Sequence, residues 1–100
     1  MRTVVFHPLA EQELIDAVAY YEEQRLGLGL EYLEEIENAV NFLARYPEAG
    51  PKVRGFVHRL TLPKFPYSLL YRMVEDEKLR ILAVAHHKRK PQHWIERDRS

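Results

Sequence analysis

Four residues in the second half of the chain are of types that could do chemistry together: Arg59, Arg72, His86 and Arg89, with Lys52, Arg54 and Lys64 nearby in sequence. Histidine serves as acid or base near neutrality, and arginines stabilise charge developing on a phosphoryl group. Such a set suits metal-free RNA cleavage with the 2′-hydroxyl as nucleophile. A simpler reading stands beside it: the arginines bind a phosphate or an acidic helix, and His86 is structural. Arg72, placed in mid-strand, either pairs with a carboxylate or faces a cleft that receives an anion.

Other constellations carry less. Gly27-Leu28-Gly29 follows a helix and lacks a third glycine, so it is a helix–helix turn and not a dinucleotide fingerprint. His86, His87 and His93 do not make a metal site, because consecutive strand residues point to opposite faces. The pairs Glu22-Glu23 and Glu34-Glu35 lie on helices already rich in acid and read as a solvated face. With no cysteine there is no disulfide and no thiolate. The residues call for no cofactor and no metal. Trp94, Tyr67 and Tyr71 could be base-stacking platforms, but core or anchor roles are commoner, above all for Tyr71.

The elements that position these residues follow from period and punctuation. Thr3 to Phe6 is a β-branched run and predicts a strand. Pro8 fits the first position of a helix. Ala10, Leu14, Ala17, Val18 and Tyr21 then form one stripe, so a helix is expected to about Arg25. A second helix is expected from about Leu30 to Tyr46, with Leu33, Ile36, Val40 and Leu43 inward, ended by Pro47. Their short link makes the helices antiparallel neighbours.

Val53–Leu62, Tyr67–Val74 and Leu79–His86 predict three strands of an antiparallel meander, separated by Pro63–Pro66 and by Glu75-Asp76-Glu77-Lys78. Strict alternation puts Tyr67, Leu69, Tyr71 and Met73 on one face. In the last strand it sets Ile81, Ala83 and Ala85 against Leu82, Val84 and His86. Both faces are apolar, and strands greasy on both sides want cover on both. Two helices cover one face; the tail, a partner or a cleft must account for the other. The basic tail carries one aromatic anchor, Trp94, and room for a helical turn after Pro91. The fold class is α+β, in a single domain over residues 1–100.

A formal charge of zero hides an asymmetry: residues 9–48 carry a net −8, and residues 52–100 a net +7. Two solvated surfaces of opposite sign would look the same, but such a basic half also suits an acidic or polyanionic partner. The start, MRTVVFHPL, has neither the apolar run nor the cleavage site of a secretory signal, and no stretch reaches the roughly 20 apolar residues of a membrane span. The cytoplasm is therefore the expected compartment, with no membrane partner.

Seven stretches then occur in a telling order: Phe6-His7-Pro8-Leu9-Ala10; Tyr20-Tyr21-Glu22; Gly27-Leu28-Gly29; Tyr46-Pro47-Glu48-Ala49-Gly50-Pro51; Arg59; Phe65-Pro66-Tyr67 with Tyr71; and Ala83-Val84-Ala85-His86 with Arg89, Pro91 and Trp94. Together they resemble the RelE/ParE toxin superfamily, the group described as plasmid stabilisation proteins, over nearly the whole chain. The resemblance implies a strand, a helical hairpin, a three-stranded meander and a short tail. It also implies growth arrest relieved by a cognate antitoxin that wraps the toxin in a homo- or hetero-oligomer.

The superfamily divides in mechanism. RelE-like members are ribosome-dependent endonucleases of messenger RNA, whereas ParE-like members poison DNA gyrase without known catalytic residues. By that resemblance Arg59 and Arg72 match phosphate-contacting positions of the nuclease branch, and Arg89 falls in the basic segment after the last strand. The tyrosine that the nuclease branch has near the end of the tail is replaced by His93 and Trp94. The segment around His86 and Arg89 looks more like the gyrase-poison branch, which is the favoured expectation. If the chain is a nuclease, Arg59, Arg72, His86 and Arg89 are its catalytic candidates. Lys64, Lys88, Arg89, His93 and Trp94 are the candidates for target or antitoxin binding. A third reading, suggested by the neutral overall charge, is a non-toxic interaction module of the same fold.

Overall fold

The computed structural model describes residues 2–75, 77–90 and 92–99. Asp76 of the expected turn and Pro91 of the tail lie outside the described residues. In chain order the elements are β1 (Thr3–Phe6), α1 (Pro8–Gln24), α2 (Leu28–Arg45), β2 (Lys52–Arg54), β3 (Val57–Thr61), β4 (Tyr67–Glu75) and β5 (Lys78–His86). They are followed by the single turn α3 (Gln92–Ile95) and a 3-10 turn, Glu96–Arg99. The sheet order is β1-β5-β4-β3-β2. β1 runs parallel to β5, and the other neighbours are antiparallel.

The helical hairpin forms where the apolar spacing placed it. Pro8 opens α1, and the His7 ring accepts the Leu9 N–H at 3.1 Å, capping the helix. Gly27 turns the chain with φ at +89°, a conformation cheap only for glycine, and the Glu22 carboxylate accepts the N–H groups of Gly27 and Gly29. A Cβ on Gly29 would stand 2.7 Å from the Val18 carbonyl oxygen, so the two helices can cross here only through glycine.

One face of the sheet packs under the hairpin. Leu69, Tyr71, Leu79, Ile81 and Val84 meet Ala10, Ala17, Tyr32, Ile36 and Leu43 in the main core. Burying an aliphatic side chain of this size contributes about 1.5–3 kcal/mol. Near its edge Tyr21, Tyr32, Phe65 and Tyr67 interlock with ring centroids 5.0 to 6.2 Å apart.

Two expectations are corrected. The run Val53–Leu62 is not one strand: Gly55, at φ +55°, turns with Phe56 to make a tight hairpin of β2 and β3, in which Arg54 pairs with Val57. The meander is thus four-stranded, and β1 extends it on the far side of β5. The alternation expected along β5 also fails, because the register shifts between Leu70 and Tyr71 of β4: Leu70 pairs with Ala83 and Tyr71 with Ile81, leaving Leu82 as a bulge. Leu82, Ala83 and Ala85 consequently lie in the second core with Val57, Leu70 and Trp94, while Val84 joins Ile81 under the helices.

Candidate functional site

The sheet face away from the hairpin is closed over part of its length by the tail. Trp94, 5 % exposed, and Ile95 pack on Val57, Leu70, Leu82, Ala83 and Ala85. Past them the face opens into a cleft of about 710 Å³. Its floor comes from Thr61, Ser68, Leu70 and Ala85, one wall from His93, Trp94 and Ile95, and its rim from Arg54, Arg59, His87 and Arg89. Thr61 and Ser68 hydroxyls face each other at 3.3 Å across the β3–β4 pair.

Among the described residues no carboxylate lines this cleft. Arg54, Arg59 and Arg89 are exposed, and among the described residues none of their side chains makes an ion pair or hydrogen bond. Each of these guanidinium groups around the partly apolar trough can grip a carboxylate or phosphate with two parallel N–H donors.

The sequence-derived candidates separate on the structure. Arg59, His86, Arg89, His93 and Trp94 line the cleft. Arg72 does not: its Nη1 donates to Asp98 at 2.8 Å, and its guanidinium lies 5.3 Å from the Phe56 ring. Of the two alternatives open to a mid-strand arginine, it takes the carboxylate partner. His86 is at the rim, but its ring meets Tyr67 edge to face at 5.1 Å and its Nδ1 accepts the Lys88 N–H at 3.0 Å. Lys64 and Lys88 are exposed and line neither wall nor floor. Tyr71 is fully buried in the core; its hydroxyl accepts the Gly50 N–H at 3.0 Å, and its ring stacks on His58. Burial pushes the Tyr71 phenol up, and the Gly50 hydrogen bond opposes this.

Two residues that hold the tail against the sheet, Glu13 and Arg97, were not among those candidates. Glu13 of α1 grips Arg97 fork to fork, with 2.9 Å from Nη1 to Oε1 and 2.9 Å from Nη2 to Oε2. The same Oε1 accepts the Val84 N–H at 3.0 Å, and Arg97 Nη1 donates to the Leu82 carbonyl at 3.0 Å. His93 adds a third contact, its Nε2 3.4 Å from Glu13 Oε2, while its Nδ1 donates to the Lys90 carbonyl at 2.8 Å. A signal for Glu13 existed in the sequence. It stands three residues after Ala10 and four before Ala17, on the buried stripe of α1, where an acid needs a partner. Arg97 had no such signal, because a short tail has no period to break.

A family model for the ParE toxin of type II toxin-antitoxin system, parDE, matches residues 4–91. The fold is similar to that of a chain from a chromosomal ParDE TA system from P. aeruginosa, with a TM-score of 0.60 at 20% identity. The match covers 86% of this chain and 96% of that one. No curated protein matches the sequence. The family match runs from β1 to the start of the tail, as the order of the seven sequence stretches led us to expect, and the chain therefore belongs to the ParE toxin family of type II toxin–antitoxin systems.

Proposed function

We propose that this toxin is a ParE-like inhibitor of DNA gyrase, neutralised by a cognate antitoxin, that engages its target through the arginine-rimmed cleft and the docked tail. The observation that carries this reading is the Arg72–Asp98 pair. RNA cleavage without a metal needs its cations and its acid and base gathered on one phosphate. Here Arg72 is neutralised by the tail, and Nδ1 of His86 is taken by the Lys88 N–H while its ring packs edge to face on Tyr67. The remaining Arg54, Arg59 and Arg89 make a surface suited to recognition. The family match supports the antitoxin, as does the similar structure, which belongs to a ParDE system. The cytoplasm is the compartment this reading requires; no helix among the described residues is long and apolar enough to cross a membrane.

One observation favours the alternative of a RelE-like, ribosome-dependent messenger-RNA endonuclease: exposed His87 stands on the cleft with Arg59 and Arg89. Pulse-labelling of DNA and protein synthesis just after induction separates the two. DNA synthesis failing first, with supercoiling by purified gyrase inhibited in vitro, is the expected result. Protein synthesis failing first, with messages cut, assigns the chain to the nuclease branch. Growth without either defect leaves the reading of a non-toxic interaction module.

A further inference from the structure

Among the described residues the tail's polar contacts with the body reach α1, β4 and β5, and Glu13 takes part in most of them. Past the end of β1 the bulged part of β5 keeps a carbonyl, Leu82, and an N–H, Val84, that take side-chain partners. A buried backbone group must find a partner, so this stretch of edge demands an acceptor and a donor at neighbouring points. Glu13 supplies the acceptor and Arg97 the donor, and the two are salt-bridged to each other. Through Arg97, Glu13 thus fixes the tail just past Trp94, and His93 on the other side of Trp94 lies 3.4 Å from the same carboxylate. Trp94 and Ile95 are the cleft's apolar wall.

We propose that Glu13 is a positioning residue for the cleft: its carboxylate clamps the tail to the bulged edge of β5, and the cleft has its wall only while that clamp is closed. Trp94 and Ile95 supply the tail's apolar contacts with the second core, and the Arg72–Asp98 pair is partly exposed. A short segment with so few apolar contacts belongs to the low-stability end of the molecule and opens on its own once its polar anchor is lost.

Glu13→Gln separates the two duties of the residue. The amide oxygen still accepts the Val84 N–H, but the amide nitrogen is a donor facing a guanidinium that is also a donor. The chain has one tryptophan, and it lies in the tail, so its fluorescence reads tail docking directly. In the full-length chain, Glu13→Gln is expected to shift Trp94 emission to longer wavelength and raise its quenching by acrylamide severalfold. Far-ultraviolet circular dichroism should stay that of the wild type. Arg97→Ala, which leaves α1 untouched, should do the same, and Arg97→Lys should recover part of the docking.

The functional step of this inference rests on the cleft being the toxin's working surface, and the outcomes keep the two apart. Red-shifted emission together with lost growth arrest supports both. Red-shifted emission with undiminished growth arrest leaves the clamp standing and removes the cleft from the toxin's action. Unchanged emission and quenching in both Glu13→Gln and Arg97→Ala overturns the clamp, whatever happens to growth.

Discussion

Glu13 and Arg97 stand 84 positions apart in the chain and meet fork to fork, one on the first helix and the other in the last turn. The pair joins the two ends of the chain across the edge of β5, so its loss has consequences for stability as well as for docking. Arg97→Ala would leave Glu13, with its side chain 17% exposed, without its cation, and the Leu82 carbonyl without its donor. Breaking one side of such a pair costs about 1–3 kcal/mol, and water entering at the tail keeps the cost below that of a fully buried charge. Urea unfolding followed by circular dichroism measures it.

His7 gives the fold a pH dependence of definite sign. Its Nδ1 accepts the Leu9 N–H, which requires that nitrogen to be unprotonated. Desolvation by burial holds its pKa below the ordinary 6.5, with Arg80 and Arg97 acting in the same direction and Glu13 against it. Between the folded and unfolded pKa values the unfolded chain binds more protons, so stability rises with pH there. The contribution is complete above pH 6.5 and falls away as the pH drops from there through the folded value. His7→Asn keeps a good helix cap without titrating in this range. Melting temperatures from pH 7.5 to 5 should decline less steeply in that variant than in the wild type.

Gly50 is predicted to tolerate nothing larger. A Cβ there would strike the Arg59 carbonyl oxygen on β3, a backbone atom that cannot move aside without disturbing the sheet. Gly50→Ala should therefore destabilise by about 1–3 kcal/mol. Tyr71→Phe, which only strands the Gly50 N–H, should cost about 1–2 kcal/mol. Because the two changes act on one contact, the double variant should fall short of their sum. A double-mutant cycle in urea checks this.

Arg59→Glu and Arg89→Glu test function apart from folding. Both side chains are exposed on the rim of the cleft without ion pairs among the described residues, so stability should change by no more than about 0.5 kcal/mol. Each reversal should nevertheless weaken growth arrest, and the pair together should abolish it. Arg72→Glu is the informative contrast. It would set a carboxylate against Asp98, so its effect should appear first as lost stability and a loosened tail. Growth curves after induction, beside thermal melts of the same variants, distinguish the two patterns.

Much of the architecture was legible along the chain because it depends on neighbours in sequence. The helical stripes through Ala17 and Leu43, the stop at Pro47, the proline at the start of α1 and the glycines of the helix turn are all local, and each stands where its spacing put it. Membership of the toxin family was legible too, since the ordered stretches are themselves sequence. Gly55 was visible as well, yet whether it bends a strand or splits it into a hairpin depends on what β3 pairs with.

What tertiary structure decided concerns groups whose partners are remote. The bulge at Leu82 arises in the pairing of β4 with β5, and it reverses the faces of the residues after it; alternation counted along one strand has no access to a register shift. Arg72 had two possible fates, and Asp98, 26 residues away, chose between them. Glu13 announced that it needed a partner by standing on a buried stripe, but only the folded chain shows that the partner is Arg97. Residue type sets what a side chain demands; the meeting of distant segments decides which neighbour meets the demand.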